Sequence, residues 1–343
     1  RRLGPAAVRD TDGALAALLE RRILQIDRAG QAVFCHQLLQ EAAYRTLSRA
    51  QQRSLHRLIH DQLTSDPGSA YPASSSELAV HAEQAGMLAE AARHLWHAAQ
   101  QAVSLAAIAS VERIWRHAGR VAAKLDGAEG ATVRARFSLL AIDALQQLSL
   151  EQEAREDMQA LAEGRIDLGS DARTIARINL ALLDWIDGAP LQARHWLARA
   201  NEDLAAAPSL PRQTFADIVG AYLDYTLAEP DRAISRIERL TDRLRDGLAG
   251  ESFGAVVVVP HILALSFGGW YAADLGRMEL ARRWTDEAMV LSAAQGHAYS
   301  QLLARLARGF LCLREGRTAE ALATLREAHD HCQIGRASCR ERV

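Results

Sequence analysis

The sequence predicts an all-α chain: a right-handed solenoid of helical hairpins, preceded by a small unit that carries one short β-hairpin. Three observations predict it. A Gly, an Ala five residues later and a second Ala seven beyond that recur at Gly86, Ala91, Ala98; at Gly188, Ala193, Ala200; at Gly276, Ala281, Ala288; and at Gly316, Ala321, Ala328. The N-terminal part lacks this spacing and has a rhythm of its own. The composition suits a globular chain with a sizeable core in two or so domains, since 49% of its 343 residues are hydrophobic. Its 40 basic and 42 acidic residues form no long run of either sign, so neither nucleic acid nor an anionic membrane has an electrostatic footprint to bind.

Residues 1–66 open the chain. Leu15, Leu18 and Leu19 make a helical stripe, and "ILQID" and "QAVF" flank Arg28, Ala29 and Gly30 as two short strands about a turn. A helix follows, with Leu39, Ala43 and Leu47 four residues apart. Ser48 and Gln51 have the spacing of a capping box for the next helix, whose apolar face is Leu55, Leu58, Ile59 and Leu63. Helix, hairpin and helix in this order read as a winged-helix-type unit. Residues 67–75 are read as a linker.

Residues 76–333 hold the repeats. In phrases such as "DGAPLQARHWLARA" and "LGRMELARRWTDEA" the Gly ends one helix in a left-handed cap, and the next helix starts within a few residues. Two Ala seven apart share a helical face and let the partner helix come close. Leu95, Trp196, Trp284 and Leu325, three or four residues after the first Ala, fill the gaps between hairpins. Weaker copies lie around Ala154 and Ala233, and from Ala154 the register Ala advances to 193, 233, 281 and 321, a period near forty. Such hairpins cannot bury their faces singly, so stability is a sum of neighbour interfaces. The array is read either as a spacer or as a concave face that binds a protein or a small inducer. Within it, Phe253 to Ala273 has no Asp, Glu, Lys or Arg and reaches membrane-spanning length. Pro260, His261 and the pair Gly268 and Gly269 interrupt it, so it is read as a buried helix and no membrane partner is expected.

The last ten residues, "IGRASCRERV", are what one frame of a common sequencing adapter would translate to, and 334–343 are set aside as an artefact on that ground. Without them the balance is 37 basic against 41 acidic residues. Cys35, Cys312 and Cys332 are then too few and too scattered for a disulfide framework, which suits a reduced, cytoplasmic protein. No metal site is expected. His56 and His60, and His94 and His97, have chelating spacings, but each pair shares its helix with Arg and reads as a solvated surface. No paired C-x-x-C or G-x-x-x-x-G-K-[ST] occurs, and no catalytic residue is assigned.

The repeat pattern resembles the tetratricopeptide repeat in its longer-period form, seen in bacterial signalling ATPases. The stretch "VFCHQLLQEAAY", with the Leu and Arg pattern around it, is similar to the end of the ATPase module in adenylate/guanylate-cyclase-linked ATPases and in large LuxR-type regulators. Both belong to the signal-transducing switch NTPases, and "EAMVLSAAQGHAYSQLLARLARGFLCLREGRTAEALATLREA" looks like the cyclase-linked group. The resemblance implies ATP or ADP with Mg in an intact parent, held by a nucleotide-binding domain upstream in cis. It also implies an output domain, either a nucleotide cyclase or, in the LuxR-type alternative, a DNA-binding helix pair. In that class a histidine of a Met-His-Asp motif contacts the β-phosphate of ADP in the closed state. In "FCHQLL" His36 matches that histidine, and Gln37 stands where the acid would be, so the acid's role does not carry over. An imidazole at a helix start is a sound phosphate contact; the other reading of His36 is a cap or plug of the hairpin. A freestanding scaffold with no NTPase is the third functional expectation.

Overall fold

The structure is a computed structural model that describes residues 11–27, 30, 32–65, 73–105, 107–148, 150–247, 259–296 and 298–340. The chain falls into two compact units, residues 1–98 and 99–343. The expected all-α architecture with a single two-stranded hairpin is what the described residues form.

In the first unit, α1 (Thr11–Glu20) leads into β1 (Leu24–Ile26) and β2 (Ala32–Phe34), paired antiparallel with Gln25 opposite Val33. Arg28 and Ala29, part of the predicted turn, lie outside the described residues. Then come α2 (Gln37–Arg45) and α3 (Arg49–Ser65). The predicted capping box at the head of α3 is present in both directions: Ser48 N–H donates to Gln51 Oε1 at 2.8 Å, and Gln51 N–H to Ser48 Oγ at 3.3 Å. The helices α4 (Ser75–Gln84) and α5 (Leu88–Ser104) form the first Gly-Ala hairpin, with Ser74 Oγ capping α4 by accepting from Glu77 N–H. The division between the units falls within α5.

The second unit continues with α6 (Ile108–Ala122) and then five hairpins: α7 (Gly127–Gln147) with α8 (Glu151–Ala162), α9 (Ser170–Ile186) with α10 (Pro190–Ala206), α11 (Leu210–Thr226) with α12 (Pro230–Gly247), α13 (Pro260–Asp274) with α14 (Met278–Gln295), and α15 (Ala298–Arg314) with α16 (Thr318–Arg340). The extra helix α6, which packs on α7 across a four-residue turn, explains why the period near forty begins only at Ala154: it moves the Ala register from Ala91 to Ala154.

The turn inside each hairpin has three residues, and in four of the six its middle residue is the register Gly: Gly86, Gly188, Gly276 and Gly316 have φ of 79°, 76°, 75° and 76°. Such values cost an L side chain strain that Gly escapes. The residue after the Gly acts twice. Its N–H closes the first helix, as Ala189 does on Asp184 O at 2.7 Å and Arg277 on Ala272 O at 2.8 Å. Its carbonyl opens the second by accepting from the register Ala, as Ala189 O does from Ala193 N and Arg277 O from Ala281 N, both at 3.0 Å. That double duty is the physical origin of the five-residue Gly-to-Ala offset. The register Ala side chains are packed away, with Ala91, Ala154, Ala193, Ala233, Ala281 and Ala321 all fully buried.

In the α11–α12 hairpin the Gly position is occupied by Ala228, at φ 60°. Ala228→Gly is therefore expected to stabilise the protein by about 0.5–1 kcal/mol, since the strain it relieves outweighs the added freedom of the unfolded chain. Urea unfolding of the two proteins checks this; an unchanged or lower midpoint would refute it.

A second spacing, not anticipated from sequence, locks the two helices of a hairpin together. A Cβ on Gly268 would lie 2.7 Å from Trp284 Cε3; one on Gly309, 2.6 Å from Leu325 Cδ2; one on Gly220, 2.8 Å from Arg236 Cζ. Each Gly precedes its partner by sixteen residues, so two of the residues foreseen as fillers between hairpins, Trp284 and Leu325, also sit in a notch in their own hairpin. Successive hairpins are linked by the Arg after the register Ala: Arg155 pairs with Asp187, Arg194 with Glu229 and Arg282 with Glu315. As half-exposed pairs these contribute about 0.2–1 kcal/mol each at most.

The apolar run that reaches membrane-spanning length becomes α13, begun by Pro260 at its first turn and buried from Ile262 to Ala273 on most of its surface. Among the described residues no helix is long and apolar enough to cross a membrane. Residues 253–258 of that run lie outside the described residues. At the C-terminus the backbone of 334–340 continues α16, while the side chains from His331, including Cys332, and all of 341–343 are not described. Cys35 and Cys312 are free thiols.

Candidate functional site

Three places carry chemistry beyond packing. In the second unit, aromatic rings run from one hairpin to the next along the C-terminal turns of their first helices. Trp185 of α9 stacks on Tyr222 of α11, ring centres 4.8 Å apart; Tyr222 meets Phe267 of α13 at 4.6 Å; Trp270 of α13 meets Phe310 of α15 at 4.9 Å. A parallel rung stacks Tyr225 on Tyr271 at 3.9 Å and an interplanar angle of 8°. The Tyr225 hydroxyl donates to Asp274, which Arg314 also grips, and the Arg314 guanidinium lies 5.5 Å from the Phe310 ring centre. Burial and then the bond to Asp274 push the Tyr225 phenol up to about 12, and burial pushes Tyr271 higher still, so both stay neutral. Trp270 remains 38% exposed, and Ile186, Leu275 and Leu313 at the same helix ends are exposed as well. The surface is apolar, aromatic and edged by one acid and one Arg, a combination suited to gripping a peptide or a flat organic ligand.

In the first unit His36 stands at the N-cap of α2, in an extended conformation (φ −141°, ψ 139°). Its carbonyl accepts the first helical N–H groups, from Leu39 at 3.0 Å and Gln40 at 3.4 Å, while its imidazole makes no capping hydrogen bond and is exposed. The reading of His36 as a side-chain cap or plug is thereby corrected: an exposed ring without a cap bond does neither. Its position at the start of a helix is the one a phosphate contact would need. Around it Leu38 is 77% exposed, and α2 buries none of its side chains. Gln37 turns along the helix, donating to Glu41 Oε1 at 3.3 Å.

The histidines read as solvated helix surface require the larger correction. His60 and His94 are buried, and their Nε2 atoms lie 3.0 Å apart across α3 and α5. His56 Nδ1 lies 2.9 Å from His81 Nδ1 of α4, with the Tyr44 hydroxyl 2.9 Å from His56 Nε2. Of the two spaced pairs considered, His56 and His60 thus partner other helices instead of each other, and only His97 stays on an exposed face. Burial lowers the pKa of His56, His81 and His94, assisted at His56 by His81 and at His94 by Arg93 and His60. Glu90, one turn before His94, has its carboxyl held below the usual range by the Arg93 fork.

No protein-family model matches the chain, and no curated protein matches it. Among solved structures, it is similar to the crystal structure of a Signal Transduction ATPase with Numerous Domains protein with a tetratricopeptide repeat sensor from Pyrococcus horikoshii. The TM-score is 0.55 at 12% sequence identity, over 96% of this chain and 47% of the other, so this chain spans about half the length of that protein. At that identity the likeness establishes the fold, a tetratricopeptide-like helical array.

Proposed function

We propose that the chain is the regulatory part of a multidomain signalling ATPase, a non-catalytic helical array that senses a protein or small-molecule partner and controls an output domain. The observation that carries this reading is the fold likeness, over nearly the whole chain, to a signal-transduction ATPase with a tetratricopeptide sensor. The aromatic rungs between α9 and α15 supply a face on which a ligand could be read, and they tie consecutive hairpins together, so a ligand seated there biases their relative packing. The first unit, with its helix, hairpin and two helices, is read as the winged-helix end of the switch. Its exposed Leu38 and Leu39 suit a surface that a nucleotide-binding domain, upstream in cis, would cover.

In this reading ATP or ADP with Mg is bound by that upstream domain, and His36 contributes one N–H toward the β-phosphate of ADP. Supporting residues are present: an exposed imidazole at a helix start, with no competing cap bond. The output is assigned to a nucleotide cyclase on the resemblance of the sequence. The intact reading frame tests the whole proposal. A G-x-x-x-x-G-K-[ST] loop and a cyclase domain upstream are expected; a DNA-binding helix pair downstream would move the assignment to a LuxR-type activator, and a frame without the phosphate loop would leave only a scaffold. In the intact protein, His36→Ala is expected to speed ADP release about tenfold, the loss of one charge-assisted hydrogen bond, and to raise basal output. An unchanged ADP off-rate removes His36 from the switch.

A further inference from the structure

Two buried imidazoles whose nitrogens face each other across separate helices are an unusual way to fill a helical core. Polar groups of this kind are retained where something engages them. The pairing of His60 on α3 with His94 on α5 is joined by a third donor, because Glu90 precedes His94 by four residues and so lies on the same face of α5. One donor atom from each of the three residues lies within 4.8 Å of the others, with His60 Nε2 3.0 Å from His94 Nε2 and Glu90 Oε2 3.9 Å from His94 Nε2.

We propose that His60, Glu90 and His94 are the protein ligands of a divalent transition-metal ion of the zinc type, which ties α3 to α5 and leaves one position for water or an external donor. A tetrahedral ion with bonds of about 2.0–2.1 Å sets its donors about 3.3 Å apart. Two of the separations, 3.0 and 3.9 Å, fall on either side of that value, and all lie within 4.8 Å, so loading asks for side-chain shifts of at most about 1.5 Å. Two imidazoles and one carboxylate form a donor set suited to zinc, and to cobalt as its spectroscopic substitute.

The surroundings are arranged as a metal site needs. His60 Nδ1 lies 3.3 Å from Asp61 Oδ1, a carboxylate that accepts the ring N–H and leaves the lone pair on Nε2, toward the site. Arg93 donates to Glu90 Oε2 through both Nε, at 2.9 Å, and Nη2, which holds the carboxylate against the same helix; loading through that oxygen displaces one of these bonds. Without an ion the two Nε2 atoms are within the distance of a shared N–H···N bond. Loading requires a tautomer change at His94, its proton passing from Nε2 to Nδ1, and no net loss of a proton. An ion bound only by the folded chain stabilises it by mass action, which makes the α3–α5 junction metal-dependent.

The test uses the full chain, stripped with a chelator and titrated with zinc chloride in a calorimeter, and with cobalt chloride followed by visible absorption. One equivalent of zinc per chain, a rise in the thermal midpoint on loading, and a cobalt spectrum of tetrahedral type are expected. Asp61→Asn, at an exposed position that leaves the core intact, should weaken zinc binding about tenfold or more. His97→Ala, on the exposed face nearby, should leave it unchanged. The double change of His60→Ala and His94→Ala should abolish the one-equivalent binding, with far-UV circular dichroism checking that the helices remain. Failure of the unaltered chain to take up zinc, or uptake that survives both the double change and Asp61→Asn, overturns the assignment.

Discussion

Replacing Trp284 by Ala is expected to lower the unfolding free energy by about 3–5 kcal/mol, the range for removing a buried indole from a core that cannot collapse around it. Trp284 is 1% exposed, and its six-membered ring fills the notch at Gly268, where the side chain of Ile237 from the preceding hairpin also arrives. One side chain therefore joins α14 to α13 and sits beside α12. In an array stabilised by neighbour interfaces, that loss falls on two interfaces at once. Urea unfolding measures it, and a loss below about 1 kcal/mol would refute the notch. A double-mutant cycle sharpens the test. Gly268→Ala forces its new Cβ against the ring and is expected to cost about 1–3 kcal/mol in the natural background, less once Trp284 is Leu.

Asp203→Ala is expected to cost a similar amount, about 3–5 kcal/mol, for an electrostatic reason. The guanidinium of Arg177 is buried between hairpins, donating to Asp203 Oδ2 at 2.6 Å, to Ala162 O at 3.1 Å and to Arg199 O at 3.3 Å. The buried Thr174 hydroxyl also points at Asp203 Oδ2, 3.2 Å away. Removing the carboxylate leaves a charge that backbone carbonyls alone must satisfy. The converse change, Arg177→Met together with Asp203→Leu, removes both charges and should recover most of the loss. Equal losses in the single and paired variants would show that packing, not charge, sets the cost.

What was legible in the sequence follows from how far apart the interacting residues lie. The hairpin turns could be read because Gly and Ala answer to local backbone geometry: a left-handed residue and a carbonyl that must meet an N–H four residues on. The capping box of Ser48 and Gln51 was legible for the same reason. Its partners are three residues apart.

The notch glycines were not, because Gly268 and Trp284 are sixteen residues apart and an Ala-rich chain hides one small residue among many. The aromatic rungs join residues about one repeat apart, and a signal for them did exist: Tyr222, Trp270 and Phe310 each stand six residues before the middle residue of a hairpin turn. The histidines misled most. Their spacing within one helix suggested that His56 and His60 belong together, whereas the contacts run to His81 and His94, 25 and 34 residues away. A search for pairs across the helix junction, not along one helix, would have been needed. His36 was placed correctly at the helix start, but its exposure could not be read from a sequence that leaves the facing surface unspecified.

The three-residue turn has a consequence for how such an array can change in length. Because one residue closes the first helix and opens the second, adding or deleting a residue there would break two sets of backbone bonds and rotate the Ala face out of contact. The connections from one hairpin to the next are under no such rule: seven residues separate α8 from α9, three α10 from α11, twelve α12 from α13 and two α14 from α15. Whole hairpins can therefore be duplicated, deleted or exchanged between proteins at those joints, much as type is set in fixed blocks with variable spacing. Epitope tags or cleavage sites for dissecting the array belong at such joints too, for example between α8 and α9.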